Sequence, residues 1–386
     1  MMMILDKPYV SQLLSQTLIN LNIPAVKSGE IRIPLDKSIT FLTEQEVIEQ
    51  LRDPNVAILC NSEYSVASIY PYLKETSIIK LIDLFKNKVR FRQQLQKLFP
   101  SFFFRECTYE EIFSLPVESL TFPLVIKPAR GFRSVGVYLV EGPAEWKTML
   151  AQLKQDMRAA KEIYPEAVVS ANSFILEEWI QGEEYAIDAY YNEAGEPVVL
   201  NVFKRMFAHE ADTSDRIYYT GKSVLTEALD KVEAFMRSMG EELPLKNFPM
   251  HFEVRISKNG QLIPIEVNPL RFAGLCTTDL GAHACGVNVY EFFFEQKKPN
   301  WPAIIKSMDD SIFSFLCAEL PLSIEGKSIE SVHDRKFEKN FSNLLDYRLI
   351  PYEEYPTFSV VFYQSPSLKE NEHLLQLDLE QYLVMK

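Results

Sequence analysis

Two glutamates and an asparagine in the segment HFEVRISKNGQLIPIEVN (251–268) are the residues best spaced to do chemistry. Asn259-Gly260 lies between two alternating runs, and a two-residue hairpin turn asks for positive φ at both centres, which these residues tolerate. With the turn there, Glu253 faces Glu266, Arg255 faces Pro264, Lys258 faces Gln261 and Asn268 faces His251. Phe252, Val254, Ile256, Ile263, Ile265 and Val267 then share the opposite, apolar face. Directly opposed residues have Cβ atoms ~4.5–5.5 Å apart, where like charges destabilise a sheet. Two carboxylates and a carboxamide at that separation are hard oxygen ligands suited to Mg²⁺. A solvated polar face, with Arg255 between the two glutamates, accounts for the same residues.

Three further groups stand upstream. KPARGFRSVGV (127–137) places Lys127 at a strand end and Gly131, Ser134 and Gly136 in the loop beyond it. Loop amides and glycines let phosphate oxygens approach, and Lys127, Arg130 and Arg133 bring positive charge. An ordinary basic hairpin loop fits this segment too. In LEEWIQGEE (176–184), an extended run ends at Gly182, with Glu177 and Glu184 bracketing the bend. Such a run offers backbone donors and acceptors to a base and carboxylates to a ribose, although surface glutamates are commoner. Lys204, followed by Arg205, ends the strand PVVLNVFK.

The elements that must position these residues follow from periodicity. VAILC (56–60) is a short apolar strand, and SIIKLIDLFKNKVRFRQQLQKLF (77–99) carries apolar residues at helical spacing, so 55–100 forms a strand–helix–helix unit. FPLVIK and VGVYLV are strands. A helix follows from Pro143, with Trp146, Met149, Leu150, Leu153 and Met157 as its apolar stripe. FILEEW, EYAIDAYY and PVVLNVFKR are strands, and a helix fills the interval from Ser223 to Gly240. Beyond about 305 the chain is partly β-rich.

The chain has 386 residues, a length that suits two to three domains. Lys and Arg number 40 against 53 Asp and Glu, a net charge of −13, which opposes general nucleic-acid binding. Hydrophobic residues make up 47%, enough for a packed core. Of 13 glycines only Gly29 precedes Gly131, which excludes a glycine-rich Rossmann or Walker loop in the first 130 residues. The five cysteines (Cys60, Cys107, Cys276, Cys285, Cys317) form no C-x-x-C pair and read as reduced thiols. Asp6, Lys7 and Pro8 interrupt the apolar run that a signal peptide needs, and no stretch approaches a membrane span. These features predict a soluble cytoplasmic protein without a membrane partner.

Taken together and in order, VIKPARGFRSVGV, ILEEWIQGEEY, VFKR and HFEVRI…PIEVNP resemble the ATP-grasp superfamily over about residues 85–290, with the subfamily left open. The resemblance implies an α/β (α+β) protein with an N-terminal α/β pre-ATP-grasp domain (1–115). An ATP-grasp domain (116–305) follows, divided into a small nucleotide-covering subdomain (about 120–182) and a large metal-binding one (about 183–305). A β-containing C-terminal segment (306–386) completes the chain. It implies ATP as a ligand with one or two Mg²⁺, Mn²⁺ being an accepted substitute. By resemblance Lys127, with the loop around Gly131, Ser134 and Gly136, contacts the phosphates. Glu177, Glu178, Trp179 and Ile180 form the adenine hinge, Glu184 holds the ribose, and Lys204 is the lysine of the large subdomain. Glu253, Glu266 and Asn268 are the Mg²⁺ ligands, in agreement with the register argument, and Lys88 is an early nucleotide lysine.

Many relatives have N-x-R at the last motif, whereas Asn268-Pro269-Leu270-Arg271 sets the arginine one residue further on. Arg271 and Arg255 are both candidates for stabilising the reacting carboxylate. FAGLCTTDLG and HEADTSDRIYYT (209–220) read as substrate-side loops, with Arg205, Asp215, Arg216 and Tyr219 as candidate contacts. The implied activity is an ADP-forming carboxylate–amine ligase that makes an acyl phosphate, with small-molecule substrates and a homo-oligomer left open. Another acceptor (thiol, carboxylation or phosphoryl transfer) and a non-catalytic nucleotide-binding module remain as alternatives.

Overall fold

The computed structural model describes the chain except residues 29–30, 32–34, 75, 132–135, 164–171, 210–211, 213 and 322–323. The described residues form four sheets. Strand Met2–Leu5 is wholly buried and lies at the centre of a parallel three-stranded sheet, between Ala25–Lys27 and Ile58–Cys60. Helices Gln12–Asn20 and Glu63–Ile69 begin at Ser11 and Ser62, whose hydroxyls accept from backbone amides of the first turn. The long apolar stripe after residue 77 resolves into helices Ser77–Lys86 and Lys88–Gln94. Asn87 ends the first in an extended conformation and caps the second by accepting from the Arg90 amide.

The small sheet is antiparallel, in the order Phe104–Thr108, Ser173–Glu178, Leu124–Pro128, Tyr138–Val140. Helix Trp146–Ile163 covers it with Trp146, Met149, Leu153 and Met157, the stripe read from the sequence. Phe104–Thr108 pairs with Ser173–Glu178, so this unit begins upstream of the boundary predicted at 115. Strand pairing across 70 residues leaves no local mark in the sequence.

The large sheet has eight antiparallel strands: Leu262–Pro269, Phe248–Ile256, Glu183–Tyr191, Pro197–Met206, Ile217–Thr220, Ile312–Glu319, Thr357–Ser365 and Leu344–Leu349. The last three belong to the C-terminal segment, which thus extends the same sheet. Around them Phe337, Phe358, Tyr363, Leu374 and Tyr382 build a separate core. Helix Lys222–Glu242 packs its Val224, Leu225, Leu229, Val232 and Met236 on one face of the large sheet. The opposite face carries the polar side chains considered next. Among the described residues no helix is long and apolar enough to cross a membrane.

Candidate functional site

The hairpin pairs Glu253 with Glu266 and His251 with Asn268, as the sequence predicts. Nearer the turn the prediction is off by one. Gly260 alone has positive φ (83°), and the Ser257 amide donates to the Gln261 carbonyl at 2.9 Å across a three-residue loop. Asn259 Oδ1 accepts from Ser257 and Gln261, a local role that competes with a left-handed turn position. Arg255 therefore opposes Ile263 rather than Pro264, and a bulge at Ile265 absorbs the extra residue before the glutamates meet. Ile263 accordingly shares the face of Arg255, while Leu262 and Pro264 are buried. The slip and the bulge cancel, which is why the outer pairs survive.

The two carboxylates are pushed in opposite directions. Burial and the neighbouring Glu266 and Glu184 carboxylates push Glu253 well above the usual carboxylate range. Burial also opposes ionisation of Glu266, but Lys88, Lys127 and Lys86 outweigh it and hold that carboxyl at about 2. Lys88 Nζ lies 3.0 Å from Glu266 Oε2, and the Asn268 amide donates to Glu266 Oε1 at 3.4 Å. Among the described residues no group of three or more His, Cys, Asp or Glu side chains is placed to hold a metal. The donor set is thus two glutamates and one asparagine. Mg²⁺ suits such a set, because it keeps waters and takes substrate phosphates alongside one or two carboxylates. Two directly opposed carboxylates repel each other, and a divalent cation between them would relieve that repulsion.

Lys127 ends strand Leu124–Pro128 and is buried, its Nζ 2.6 Å from Glu177 Oε1. Arg92 Nε donates to Glu177 Oε2 at 2.9 Å, its guanidinium 4.4 Å above the Phe102 ring, and its Nη2 is buried without a partner. Burial disfavours the Glu177 carboxylate, yet Arg92 and Lys127 override this and hold it at about 2. Burial lowers Lys127, with Glu177 opposing and Arg92 and Lys88 adding to the fall. Gly136 has φ +75°, and a Cβ there would meet Met157 Cε at 2.9 Å. Gly131 lies beside Pro128 at ordinary contact distance, and Arg130 donates to Asp83. Ser134 lies outside the described residues, as does Arg133.

The four residues of the predicted hinge do not share one environment. Glu177 sits mid-sheet with its carboxylate turned to the two cations. The Glu178 amide donates to the Phe103 carbonyl and the Trp179 amide to that of Pro123. The Ile180 amide has no partner among the described residues. The Ile180 carbonyl accepts from Arg255 Nη1 at 2.9 Å. Gly182, at φ +139°, passes so close to Ile256 that a Cβ would lie 2.3 Å from its carbonyl oxygen.

Glu184 is buried, and both of its oxygens are held: Oε1 by Arg205 Nη1 at 2.7 Å, Oε2 by Arg255 Nε and Nη2 at 3.0 and 2.9 Å. Arg255 also lies over the Trp179 ring at 4.0 Å. Its guanidinium is thus engaged by Glu184, the Ile180 carbonyl and Trp179. Lys204 lies on the other face of the sheet from Glu184. It opposes Tyr219 and Tyr185 on the helix-covered face and reaches Glu227 at 3.2 Å. Arg205 and Tyr218 occupy the face of Glu184, because successive strand residues point to opposite sides. For the same reason Tyr219 turns away and Tyr218 donates to Asp215 at 2.9 Å. Arg216 is spent on the carbonyls of Leu375 and Leu377, so it braces the C-terminal segment.

Arg271 stays at the cleft. Its Nε donates to Glu63 Oε1 at 2.6 Å and its Nη1 to the Phe272 carbonyl at 3.0 Å. Leu270, at φ +60°, takes the turn that brings Arg271 alongside Cys60 of the N-terminal sheet. Lys86 completes an ion pair with Glu63 from the other side. Glu63, Lys86 and Arg92 escape sequence reading, since their partners lie far along the chain. So do Asp188, which accepts from His251, Asn201, Thr278 and the Ala273 amide, and Arg348, which holds Asp279 and the Cys276 carbonyl. Three buried or half-buried glutamates (Glu63, Glu177, Glu184) are each gripped by two cations, so the cleft is locally cationic in an acidic chain.

Residues 120–279 match the family profile described as the ATP-grasp domain, and this stretch is an ATP-grasp domain. The whole chain has the fold of ATP-grasp enzymes. It is similar to the L-amino acid ligase of Bacillus licheniformis at 15% identity and a TM-score of 0.65, covering 100% of this chain and 98% of that one. It is also similar to the N5-carboxyaminoimidazole synthase of Aspergillus clavatus, solved with ADP and 5-aminoimidazole ribonucleotide (14%, TM-score 0.63, 97% and 96% covered). A third is the biotin carboxylase domain of the Hydrogenobacter thermophilus 2-oxoglutarate carboxylase, solved with MgADP, ADP and bicarbonate (10%, TM-score 0.61, 95% and 86% covered). No curated protein matches the chain by sequence. At such identities the likeness speaks for the fold.

Proposed function

We infer that the protein is an ATP- and Mg²⁺-dependent ligase that activates a small carboxylate as an acyl phosphate for attack by an amine, releasing ADP and phosphate. The observation that carries this reading is the opposed pair Glu253–Glu266 with Asn268, facing Lys88 and near the buried Lys127 on an ATP-grasp domain. Glu253, Glu266 and Asn268 would hold the cation, which, when bound, neutralises charge on the β- and γ-phosphates. Lys88 and Lys127 bind phosphate oxygens, and the free Ile180 amide receives the base. Arg255 and Glu184 form the wall against which base and ribose lie, and Gly131 and Gly136 let the small subdomain approach.

A carboxylate oxygen of the substrate attacks the γ-phosphorus in line, the bond to the β-phosphate oxygen breaks, and ADP leaves. The amine nitrogen then attacks the acyl carbon, loses a proton, and the carbon–oxygen bond to phosphate breaks. Arg271 stands on the N-terminal side of the cleft, held by Glu63, and stabilises the oxyanion of that step, where one such donor is worth ~3–4 kcal/mol. The small sheet closing over the nucleotide excludes water from the acyl phosphate. A second reading, carboxylation, is favoured by the likeness to two carboxylating enzymes at nearly the same TM-score.

Product analysis separates them. ATP, Mg²⁺ and pooled amino acids or small carboxylic acids should give ADP and phosphate in a substrate-dependent way. ADP formation that needs bicarbonate would favour carboxylation, and AMP would refute γ-phosphoryl transfer.

A further inference from the structure

Helix Lys88–Gln94 sends two cations to two different sheets. Lys88, at its first position, reaches Glu266 of the large sheet at 3.0 Å. Arg92, one turn later on the same side, reaches Glu177 of the small sheet at 2.9 Å. The Lys88 amide also donates to the Ala129 carbonyl at 2.8 Å, so the helix is fixed to the strand end that carries Lys127. Arg92 and Glu177 are 5% and 2% exposed.

The charge balance around Glu177 is informative. A buried lysine paired one-to-one with a buried glutamate is a neutral unit, and its ammonium has little left to offer an anion. Here Glu177 divides its two oxygens between Lys127 and Arg92, so the unit carries a net positive charge. Lys127 stands at the strand end next to the cleft. Arg92 lies behind, stacked on Phe102, with Nη2 buried and unpartnered. Its position suits a fixed counter-charge more than a fully satisfied structural clasp, which would leave no donor stranded.

We propose that Arg92 is a positioning residue for nucleotide binding: by neutralising Glu177 it leaves the charge of Lys127 uncompensated and available to a phosphate group. The inference rests on the nucleotide reading above and deepens it, since it assigns the phosphate affinity of Lys127 to a residue that never touches the nucleotide. Its chemistry is that of a nucleoside di- or triphosphate and not of a nucleoside.

Calorimetric titration of the full chain with MgADP and with adenosine tests it. Arg92→Met should weaken MgADP ~10-fold, the loss of one charge-assisted contact, while adenosine binds as to the unaltered protein. Arg92→Lys, which keeps the charge, should stay within ~3-fold. The double variant Arg92→Met/Glu177→Gln removes the neutralising carboxylate as well and should recover most of the MgADP affinity, which a purely structural clasp would not do. Equal losses in Arg92→Lys and Arg92→Met, or a double variant no better than Arg92→Met, would overturn the inference. Unchanged MgADP binding in Arg92→Met would do the same. Failure of the unaltered protein to bind MgADP at all would overturn the nucleotide reading itself, and the inference with it.

Discussion

Replacing Glu177 by glutamine keeps the shape of the side chain and removes the anion that two buried cations share. Its carboxyl is held at about 2 against an ordinary 4.5, with burial opposing and Arg92 and Lys127 prevailing. That depression amounts to about 3 kcal/mol of stability, at roughly 1.4 kcal/mol for each tenfold change in acidity. Breaking a buried pair from one side gives a similar figure of ~3–5 kcal/mol, since Lys127 and Arg92 are left facing each other. A depressed carboxyl contributes fully above its unfolded value and loses that contribution as pH falls toward its folded one. The gap between the two proteins should therefore be widest from about pH 5.5 upward, and smaller by about 1 kcal/mol near pH 4. Urea unfolding followed by tryptophan fluorescence suits the measurement, because Trp146 and Trp179 both lie in or beside the small sheet that Glu177 belongs to. A gap under ~1 kcal/mol at pH 7, or one that widens on acidification, would refute the charge argument.

Three other outcomes follow from the geometry. Gly182→Ala would put a methyl group 2.3 Å from the Ile256 carbonyl oxygen at a φ of +139°. A loss of ~1–3 kcal/mol together with weaker adenosine binding is expected, and an unchanged melting temperature would contradict the packing. Lys204→Ala should leave ADP binding nearly intact, since Lys204 faces Glu227 and the helix, whereas Arg205→Ala should impair it by freeing Glu184; equilibrium titration with ADP decides, and the reverse order would contradict the assignment of faces. Leu270→Gly relieves a left-handed non-glycine residue next to Arg271 but deletes a side chain only 1% exposed in the main core, so a net loss of ~2–4 kcal/mol by urea unfolding is expected, and an unchanged midpoint would contradict the packing.

The fold class was legible in the sequence, and the fine register of the hairpin was not. Alternation around Asn259-Gly260 opposes Glu253 to Glu266, but through a two-residue turn that the chain does not make; the outer pairing holds because the slip at the loop and the bulge at Ile265 cancel. The bulge at Ile265 left no signature in the alternation; it lies on Leu262–Pro269, the edge strand of the sheet, where extruding a residue disturbs only one ladder. Lys204 and Arg205 are adjacent cations at a strand end, and only the origin of the alternation decides which faces the cleft. Tyr218 and Tyr219 pose the same problem: both cations are candidates in the sequence, Lys204 for the nucleotide and Arg205 for the substrate, but of the tyrosines only Tyr219, which turns away. Glu177 and Glu184 stood out as carboxylates bracketing the bend at Gly182, yet their partners Arg92, Arg205 and Arg255 lie 85, 21 and 71 residues distant. Long-range charge pairing has no period to detect. Likewise nothing local announces that Ile312–Glu319 and Thr357–Ser365 join the sheet of the Glu253–Glu266 hairpin, or that Met2–Leu5 is a central strand.

The central claim is that Glu253, Glu266 and Asn268 bind the cation of a metal–nucleotide complex that Lys88 and Lys127 hold by its phosphates. The most direct measurement is calorimetric titration of ATP, with and without Mg²⁺, into the unaltered protein and into Glu266→Gln. The account predicts ATP binding that strengthens at least ~10-fold with Mg²⁺ in the unaltered protein and loses that dependence in the variant, with adenosine binding equal in both. Mg²⁺-dependent binding that survives Glu266→Gln unchanged would contradict it.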